Sequence, residues 1–237
     1  FFRVALSEVI RESSYTRNGE FKRYRMSLEQ MERFDVKPIQ IFVAKLERNL
    51  SGLCEYIHEK KKGRYEVRSF NTVEGFPDDI EDESIDMIVT SPPYGDSRTT
   101  VAYGQYSRWA SEWFKFPNAM KIDAMLMGGS KAKDFSFHSD SISTELELIK
   151  KEDEKRYKEV CAFLEDYYNS IKNIAPKVRQ GGRVCFVVGN RNVKGIQIPL
   201  DYFTAEMFEQ NGFIFETTIV RNIPNKRMPS KTSPTNV

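Results

Sequence analysis

Hydrophobic residues in the first 62 positions recur every three or four places, which is the spacing of amphipathic helices. In the first of two such segments they are Phe2, Leu6, Val9 and Ile10. In the second they are Ile39, Phe42, Val43, Leu46, Leu50, Leu53, Cys54 and Ile57. The second segment opens near Pro38, where a first helical turn tolerates proline, and closes on three lysines and Gly63. We predict helices over residues 1–16 and from Pro38 to about residue 62, so that residues 1–63 form a helical region.

After residue 64 the pattern changes to short apolar or alternating runs separated by helical spacing. The predicted strands are 65–70, 85–90, 183–188 and 213–220. The predicted helices are 109–116, 144–175 and 199–210, with a loop over 95–108 and an insertion at about 115–155. Strands that alternate with helices indicate an α/β fold with a mostly parallel sheet. The fold class is therefore α/β, and residues 64–237 form its second part.

Composition is that of a globular chain, with 40% apolar and 30% charged residues among 237. The formal net charge of +2 is too small to argue for a polyanionic partner. Two basic runs, over residues 17–25 and 221–231, are candidates for nucleic-acid contact. No apolar run is long enough for a membrane-spanning helix.

The cysteines and histidines do not have the spacing of a metal site. Cys54, Cys161 and Cys185 lie far apart among apolar residues, so we expect buried free thiols in a reducing compartment. His58 and His138 stand alone, and we expect no metal ion.

The segment with the clearest chemical meaning is Thr90-Ser91-Pro92-Pro93-Tyr94, which follows the apolar run 85–90 directly. Ligands of open α/β sheets bind beyond the carboxyl ends of the strands. The two prolines fix φ and remove two N–H donors, which leaves carbonyl acceptors, a hydroxyl and an aromatic ring. These groups suit a planar ligand with an exocyclic NH2 group, because carbonyls accept its hydrogens and the ring stacks on its face.

This motif resembles the catalytic motif of the amino-group DNA methyltransferases of restriction-modification systems. Those enzymes transfer a methyl group from S-adenosylmethionine to N4 of cytosine or N6 of adenine in double-stranded DNA. Further segments are similar to these methylases: Gly95 to Gly104, Gly181 to Cys185, Val188 to Arg191 and Asn222 to Arg227. The resemblance covers residues 64–237 and, more weakly, 1–62. It implies a Rossmann-like class I methyltransferase sheet and the cytoplasm of a bacterium or archaeon.

The resemblance also implies roles for single residues. Ser91 and Pro92 orient the target amino group through their carbonyls, Pro93 completes the turn, and Tyr94 stacks on a base flipped out of the duplex. A serine in the first place is usual in enzymes that act on cytosine N4, whereas aspartate or asparagine is usual in those that act on adenine N6. Asn71 follows a predicted strand at the place where the family often has an aspartate that contacts the cofactor adenosine, and a simple Asx turn is the alternative. Gly189 and Asn190 end the predicted strand 183–188 at the same sheet edge as Tyr94, so the position of ligands at strand ends makes them candidate contacts to the cofactor, together with Thr90. From their charge and position, Arg98, Arg191, Lys226 and Arg227 are candidate contacts to DNA phosphates, with ordinary surface charge as the alternative.

One part of the family pattern is missing. Family members hold the cofactor with a Gly-rich turn after the first strand, but Gly128-Gly129 follows no predicted strand and Gly181-Gly182 precedes one. The predicted strands correspond to the third to sixth of the family's seven. We therefore expect an incomplete sheet: the C-terminal part of a methyltransferase, or half of a split or permuted one, with the cofactor motif in a missing N-terminal segment or in a partner chain.

Three alternatives to a cytosine N4 methyltransferase stay open. The first is an adenine N6 enzyme. The second is a non-catalytic half of a split enzyme that binds DNA or provides specificity. The third is a methyltransferase for RNA or for protein amide nitrogen, although those relatives usually carry asparagine at the position of Ser91. The recognised DNA sequence does not follow from these residues.

Overall fold

The computed structural model describes residues 1–17, 23–59, 63–96, 103–129 and 137–221. The chain forms two compact units. The first contains residues 1–68 and 102–125, and the second contains residues 69–101 and 126–237. The segment 102–125, which the sequence pattern assigned to the catalytic part, therefore clusters with the N-terminal helices.

The first unit is helical. Its helices are α1 (Phe2–Glu12), α2 (Leu28–Glu32), α3 (Pro38–Glu59), α4 (Tyr103–Trp113) and α5 (Ile122–Met125). The predicted helices at the start of the chain and from Pro38 are confirmed. Lys45 of α3 lies 2.7 Å from the carboxylates of both Glu8 and Glu12 of α1, so a largely buried ammonium joins the two helices. The predicted loop over 95–108 is wrong from residue 103 onward, because α4 begins there.

The second unit combines a parallel strand pair with helices. Its helices are α6 (Ser143–Glu152), α7 (Glu154–Ile174) and α8 (Leu200–Gln210). Its strands are β1 (Ile85–Thr90), β2 (Val178–Phe186), β3 (Arg191–Val193) and β4 (Ile196–Ile198). β1 pairs in parallel with β2, and β3 pairs antiparallel with β4. This mixed α/β architecture with a small parallel sheet agrees with the predicted fold class.

The core lies on one face of the parallel pair. α7 and α8 contribute several of its large, fully buried side chains, among them Leu164, Tyr167, Ile171, Phe203 and Met207. Ile88, Val184 and Phe186 pack against this cluster from the strands. Because side chains alternate along a strand, the residues between them point to the other face.

We call that other face the bare sheet face, formed by Met87, Val89, Cys185 and Val187. Three of its side chains are 55% (Met87), 69% (Val89) and 59% (Val187) exposed, and Cys185 is exposed as well. Parallel sheets are normally covered on both faces. The predicted burial of the thiols is therefore right for Cys161 and wrong for Cys185 and for Cys54, which is exposed on α3.

Two predicted strands are wrong. Residues 65–70 and 213–220 have strand-like patterns but belong to no strand in the structure. Val67 is 96% exposed and Ile219 is 88% exposed. A β-strand forms only where an adjacent strand accepts and donates its backbone hydrogen bonds. The alternation of apolar and polar residues does not show whether such a partner strand exists.

Other predicted boundaries moved for local reasons. The single helix over 144–175 is two helices, because Asp153 is extended and its carboxylate accepts a hydrogen bond from the Arg156 amide that caps α7. β2 begins at Val178 rather than at residue 183, so it includes the Gly181-Gly182 pair. Gly181 has a positive φ, and the register between β1 and β2 shifts in this part of the strand. Among the described residues, no helix combines the length and apolar character needed to cross a membrane.

Candidate active site at the strand ends

The turn after β1 brings the hydroxyls of Ser91 and Tyr94 together. Ser91 Oγ and the Tyr94 phenolic oxygen are 2.7 Å apart, so they share a hydrogen bond. Ser91 is exposed and Tyr94 is half-buried, with its ring against the core. The turn therefore presents a fixed serine hydroxyl beside an anchored aromatic ring.

A second strand end lies beside this turn. The Val187 amide donates to the Thr90 carbonyl at 2.9 Å, which continues the pairing of β1 and β2 past their last residues. The chain then passes Tyr94 at Gly189, where an added Cβ would lie 3.5 Å from the ring. The prediction that Gly189 and Tyr94 share one edge of the sheet is thus confirmed.

The backbone of the turn has acceptors in excess of donors. Pro92 and Pro93 carry no N–H group, so the carbonyls around them can accept hydrogen bonds without local competition from those positions. An exocyclic amino group has two hydrogens to donate, and a flat base gains stacking energy on a tyrosine ring. The arrangement can therefore align an amino group and hold the ring that bears it.

A buried ion cluster follows the turn. Asp96 is 1% exposed, and its Oδ2 lies 2.9 Å from Arg191 Nη1 and 3.4 Å from Arg156 Nη2. The two arginine side chains are 12% (Arg191) and 17% (Arg156) exposed. Burial lowers the pKa of Arg191, and the charge of Asp96 opposes that effect. Sequence reasoning missed Asp96 and Arg156, and the only signal was an acid immediately after Tyr94-Gly95.

Two of the residues predicted to contact the cofactor already form side-chain hydrogen bonds with other groups of the protein. Asn71 Oδ1 accepts from the Val73 amide, and its Nδ2 donates to Glu74. Asn190 Oδ1 accepts from the Asp201 amide at the start of α8. Thr90 and Gly189 lie at the strand ends.

Asn71 also lies apart from the strand ends. The segment after it bonds to Ser170 and Asn173 near the end of α7. That is roughly 20 Å along the helix from Arg156, at about 1.5 Å per residue. The structure brings Thr90, Gly189 and Asn190 to one edge but not Asn71. These four residues do not by themselves fit S-adenosylmethionine, since the side chains of Asn71 and Asn190 are already hydrogen-bonded within the protein and Asn71 also lies away from the other three.

The predicted phosphate contacts are only partly visible. Arg98, Lys226 and Arg227 lie outside the described residues. Arg191 is described, and its guanidinium bonds to Asp96. Phosphate contact by these four residues stays a prediction. In the part of the chain that the structure describes, no group of three or more His, Cys, Asp and Glu residues could hold a metal ion.

Comparison with known proteins identifies the family. Residues 85–236 match the family of N6 and N4 methyltransferases described as DNA methylase. The Type II methyltransferase M.MvaI of Kocuria varians is 37% identical over 252 residues, which cover 100% of this chain and 56% of that relative. No solved structure matches significantly. Members of the family use S-adenosylmethionine as the methyl donor. The match begins at the first residue of β1 and includes the whole turn from Ser91 to Tyr94, and the chain belongs to the DNA methylase family of N6 and N4 amino-methyltransferases.

Proposed function

We propose that this chain contains the target-base site of a DNA methyltransferase that acts on N4 of cytosine. The observation that carries the proposal is Ser91 in the first place of the motif, hydrogen-bonded to Tyr94 at the carboxyl end of β1. Serine in that place is typical of the cytosine N4 enzymes that the motif resembles. The relative from Kocuria varians is named only as a Type II methyltransferase, so the choice of base is our inference.

In this proposal each residue of the turn has a separate task. The carbonyls of Ser91 and Pro92 accept the two N–H bonds of the amino group, which aligns the nitrogen lone pair for attack. Tyr94 stacks on the flipped cytosine and repays part of the few kcal/mol that extrusion from the duplex costs. The bond from nitrogen to the methyl carbon would form as the sulfonium–methyl bond breaks, S-adenosylhomocysteine would leave, and the cationic nitrogen would then release one proton to solvent. Because that proton becomes acidic only once the nitrogen is methylated, no dedicated general base is needed, and alignment and proximity supply most of the rate. The methyl group comes from S-adenosylmethionine.

Expression of the intact enzyme in a host without DNA methyltransferases tests the choice of base. Genomic DNA is digested to nucleosides and analysed by mass spectrometry, with the Tyr94→Ala variant as the control. We expect N4-methylcytosine with the wild-type protein and much less of it with the variant. N6-methyladenine alone would replace the cytosine assignment by adenine, and no methylated base would favour a half that only binds DNA.

We also propose that the cofactor is held largely by a further part of the enzyme that covers the bare sheet face. Both Met87 and Val89 of β1 are more than half exposed, and β2 is the one partner strand of β1 among the described residues. The chain spans about 56% of the length of the curated relative it matches. Additional strands and a helical layer would bury this apolar surface, which at about 25 cal/mol per Å² favours association.

Calorimetric titration with S-adenosylmethionine tests this second proposal. We expect weak or undetectable binding by the 237-residue chain and micromolar or tighter binding when the remainder of the enzyme is supplied. The Val89→Asp substitution places a charge on the bare sheet face and should prevent the rescue, whereas Glu209→Gln, at an exposed position of α8, should not. Micromolar binding by the chain alone, as a monomer, would contradict the proposal.

A further inference from the structure

The ion cluster behind the turn connects the two strand ends to each other. Asp96 lies two residues after Tyr94, and Arg191 lies two residues after Gly189, which contacts the Tyr94 ring. The Asp96 to Arg191 bond therefore closes a short loop of contacts at the aromatic ring. Arg156 of α7 adds a second guanidinium to the same carboxylate oxygen, which ties the loop to the helix layer.

The fit around this bond is tight. A Cβ added at Gly95 would overlap Arg191 Nη1 and lie 3.0 Å from Arg191 Cζ, so the guanidinium rests directly on the backbone between Tyr94 and Asp96. On the other side, a Cβ at Gly128 would lie 3.0 Å from both Cα and Cβ of Asp96. Gly128 has a φ of +69°, and its amide donates to Asp166 at 2.7 Å. Asp96 is thus closely packed by both Gly128 and Arg191, and a displaced Arg191 would leave its carboxylate less compensated.

We propose that Arg191 is a positioning residue, which fixes Tyr94 through Asp96 and Gly95 and does not contact a DNA phosphate. The inference rests on the proposed function, because its consequence is the alignment of the amino group in the turn. Removing one partner of a buried charge pair is strongly destabilising, since the remaining charge is less compensated in a site of low dielectric. A misplacement of about 1 Å at a reacting centre costs on the order of 100-fold in rate.

Three variants of the intact enzyme test this role. Arg191→Gln removes the charge, and Arg191→Lys keeps the charge without the planar fork. Gly95→Ala keeps every charge and forces the guanidinium away from the backbone. The matched control for the arginine variants is Arg183→Gln, because the Arg183 side chain is 63% exposed in its ion pair with Glu216. The matched control for Gly95→Ala is Gly52→Ala, because an added Cβ at Gly52 would meet nothing within 4 Å.

Four quantities are measured for each variant: kcat with unmethylated genomic DNA, the DNA Kd at several salt concentrations, the midpoint of denaturant unfolding, and hydrogen exchange over residues 91–96. We expect kcat to fall about 100-fold in Arg191→Gln and Gly95→Ala and less in Arg191→Lys. The DNA Kd should change less than about threefold with an unchanged salt slope, since no phosphate contact is lost. Exchange over 91–96 should rise in the three variants and not in the controls.

Two results would overturn the inference. Weaker DNA binding with a salt slope shallower by about 1 would assign Arg191 to a phosphate. Wild-type kcat and wild-type exchange in Gly95→Ala would show that the contact with Arg191 does not position the turn, and this variant decides the matter if Arg191→Gln fails to fold. A wild-type enzyme that methylates no DNA refutes the proposed function instead, and the exchange data then still show whether Arg191 holds the turn.

Discussion

Two substitutions of Tyr94 distinguish the contribution of its ring from that of its hydroxyl. Tyr94→Phe keeps the ring against Gly189 and loses the 2.7 Å hydrogen bond to Ser91. Tyr94→Ala loses both. The proposed function requires the ring during the flipped state and the hydroxyl only to steady the serine, so the two variants should differ in turnover.

The magnitudes follow from the two contacts. A net hydrogen bond contributes about 1 kcal/mol, so Tyr94→Phe should lower kcat by about fivefold. Stacking of a base on an aromatic ring contributes about 1–3 kcal/mol. Loss of both contacts in Tyr94→Ala therefore costs about 2–4 kcal/mol, or roughly 30-fold to 1000-fold in kcat. Phosphate contacts are untouched, so the DNA Kd should change by less than about threefold.

The assay is single-turnover methyl transfer to unmethylated DNA at saturating enzyme, combined with DNA binding by fluorescence anisotropy. Saturation removes differences in binding from the observed rate. The midpoint of denaturant unfolding is measured for each variant, because Tyr94 also packs against the core. Tyr94→Phe is the matched control for that packing.

Parallel losses of turnover and of DNA affinity would refute the reasoning, since they would place Tyr94 in general DNA binding. Equal rates for Tyr94→Phe and Tyr94→Ala would also refute it, because the ring would then have no task beyond that of the hydroxyl.

Two further predictions concern other parts of the chain. Glu206 accepts hydrogen bonds from two serine hydroxyls and two backbone amides of the segment 139–141. Burial alone would raise the pKa of Glu206, but these hydrogen bonds lower it below the ordinary 4.5. Glu206→Gln should lower the free energy of unfolding by about 2 kcal/mol at neutral pH. This difference in the free energy of unfolding between wild type and variant is fully present above about pH 4.5 and should shrink as the pH falls through the lowered pKa of Glu206. An equal loss of stability in the control Glu209→Gln, at an exposed position, would contradict this prediction. Replacing Lys226 and Arg227 with Ala should weaken binding to all DNA sequences alike and make the salt slope shallower by about 2, whereas an unchanged slope would place both residues away from DNA.

Local signals predicted the centre of the site. The apolar run 85–90 and the prolines after it were sufficient to predict both the strand and the turn at its carboxyl end, because both depend on neighbouring residues. The break at Asp153 was missed, although an acid before a helical run is a common cap. The β3–β4 hairpin was missed, although Lys194 and Gly195 form its two-residue turn at positive φ.

Long-range pairing explains what the sequence did not predict. Residues 213–220 have the alternation of a strand, but whether they join a sheet depends on a neighbour that the pattern does not contain. Asp96 and Arg191 are 95 positions apart, and neither has a local feature that distinguishes a buried ion pair from two surface charges. Asn71 was predicted to contact the cofactor because it follows a predicted strand. That strand does not form, and the segment after Asn71 bonds instead to residues near the end of α7.

The most direct test of the account is transfer of a deuterated methyl group from labelled S-adenosylmethionine to unmethylated duplex DNA by the intact enzyme, followed by mass spectrometry of the nucleosides. Wild type and Tyr94→Ala are compared at equal DNA occupancy. The account predicts label on N4 of cytosine with the wild-type enzyme and a loss of at least about 30-fold in the variant. Label on adenine N6, or equal labelling by both proteins, would contradict it.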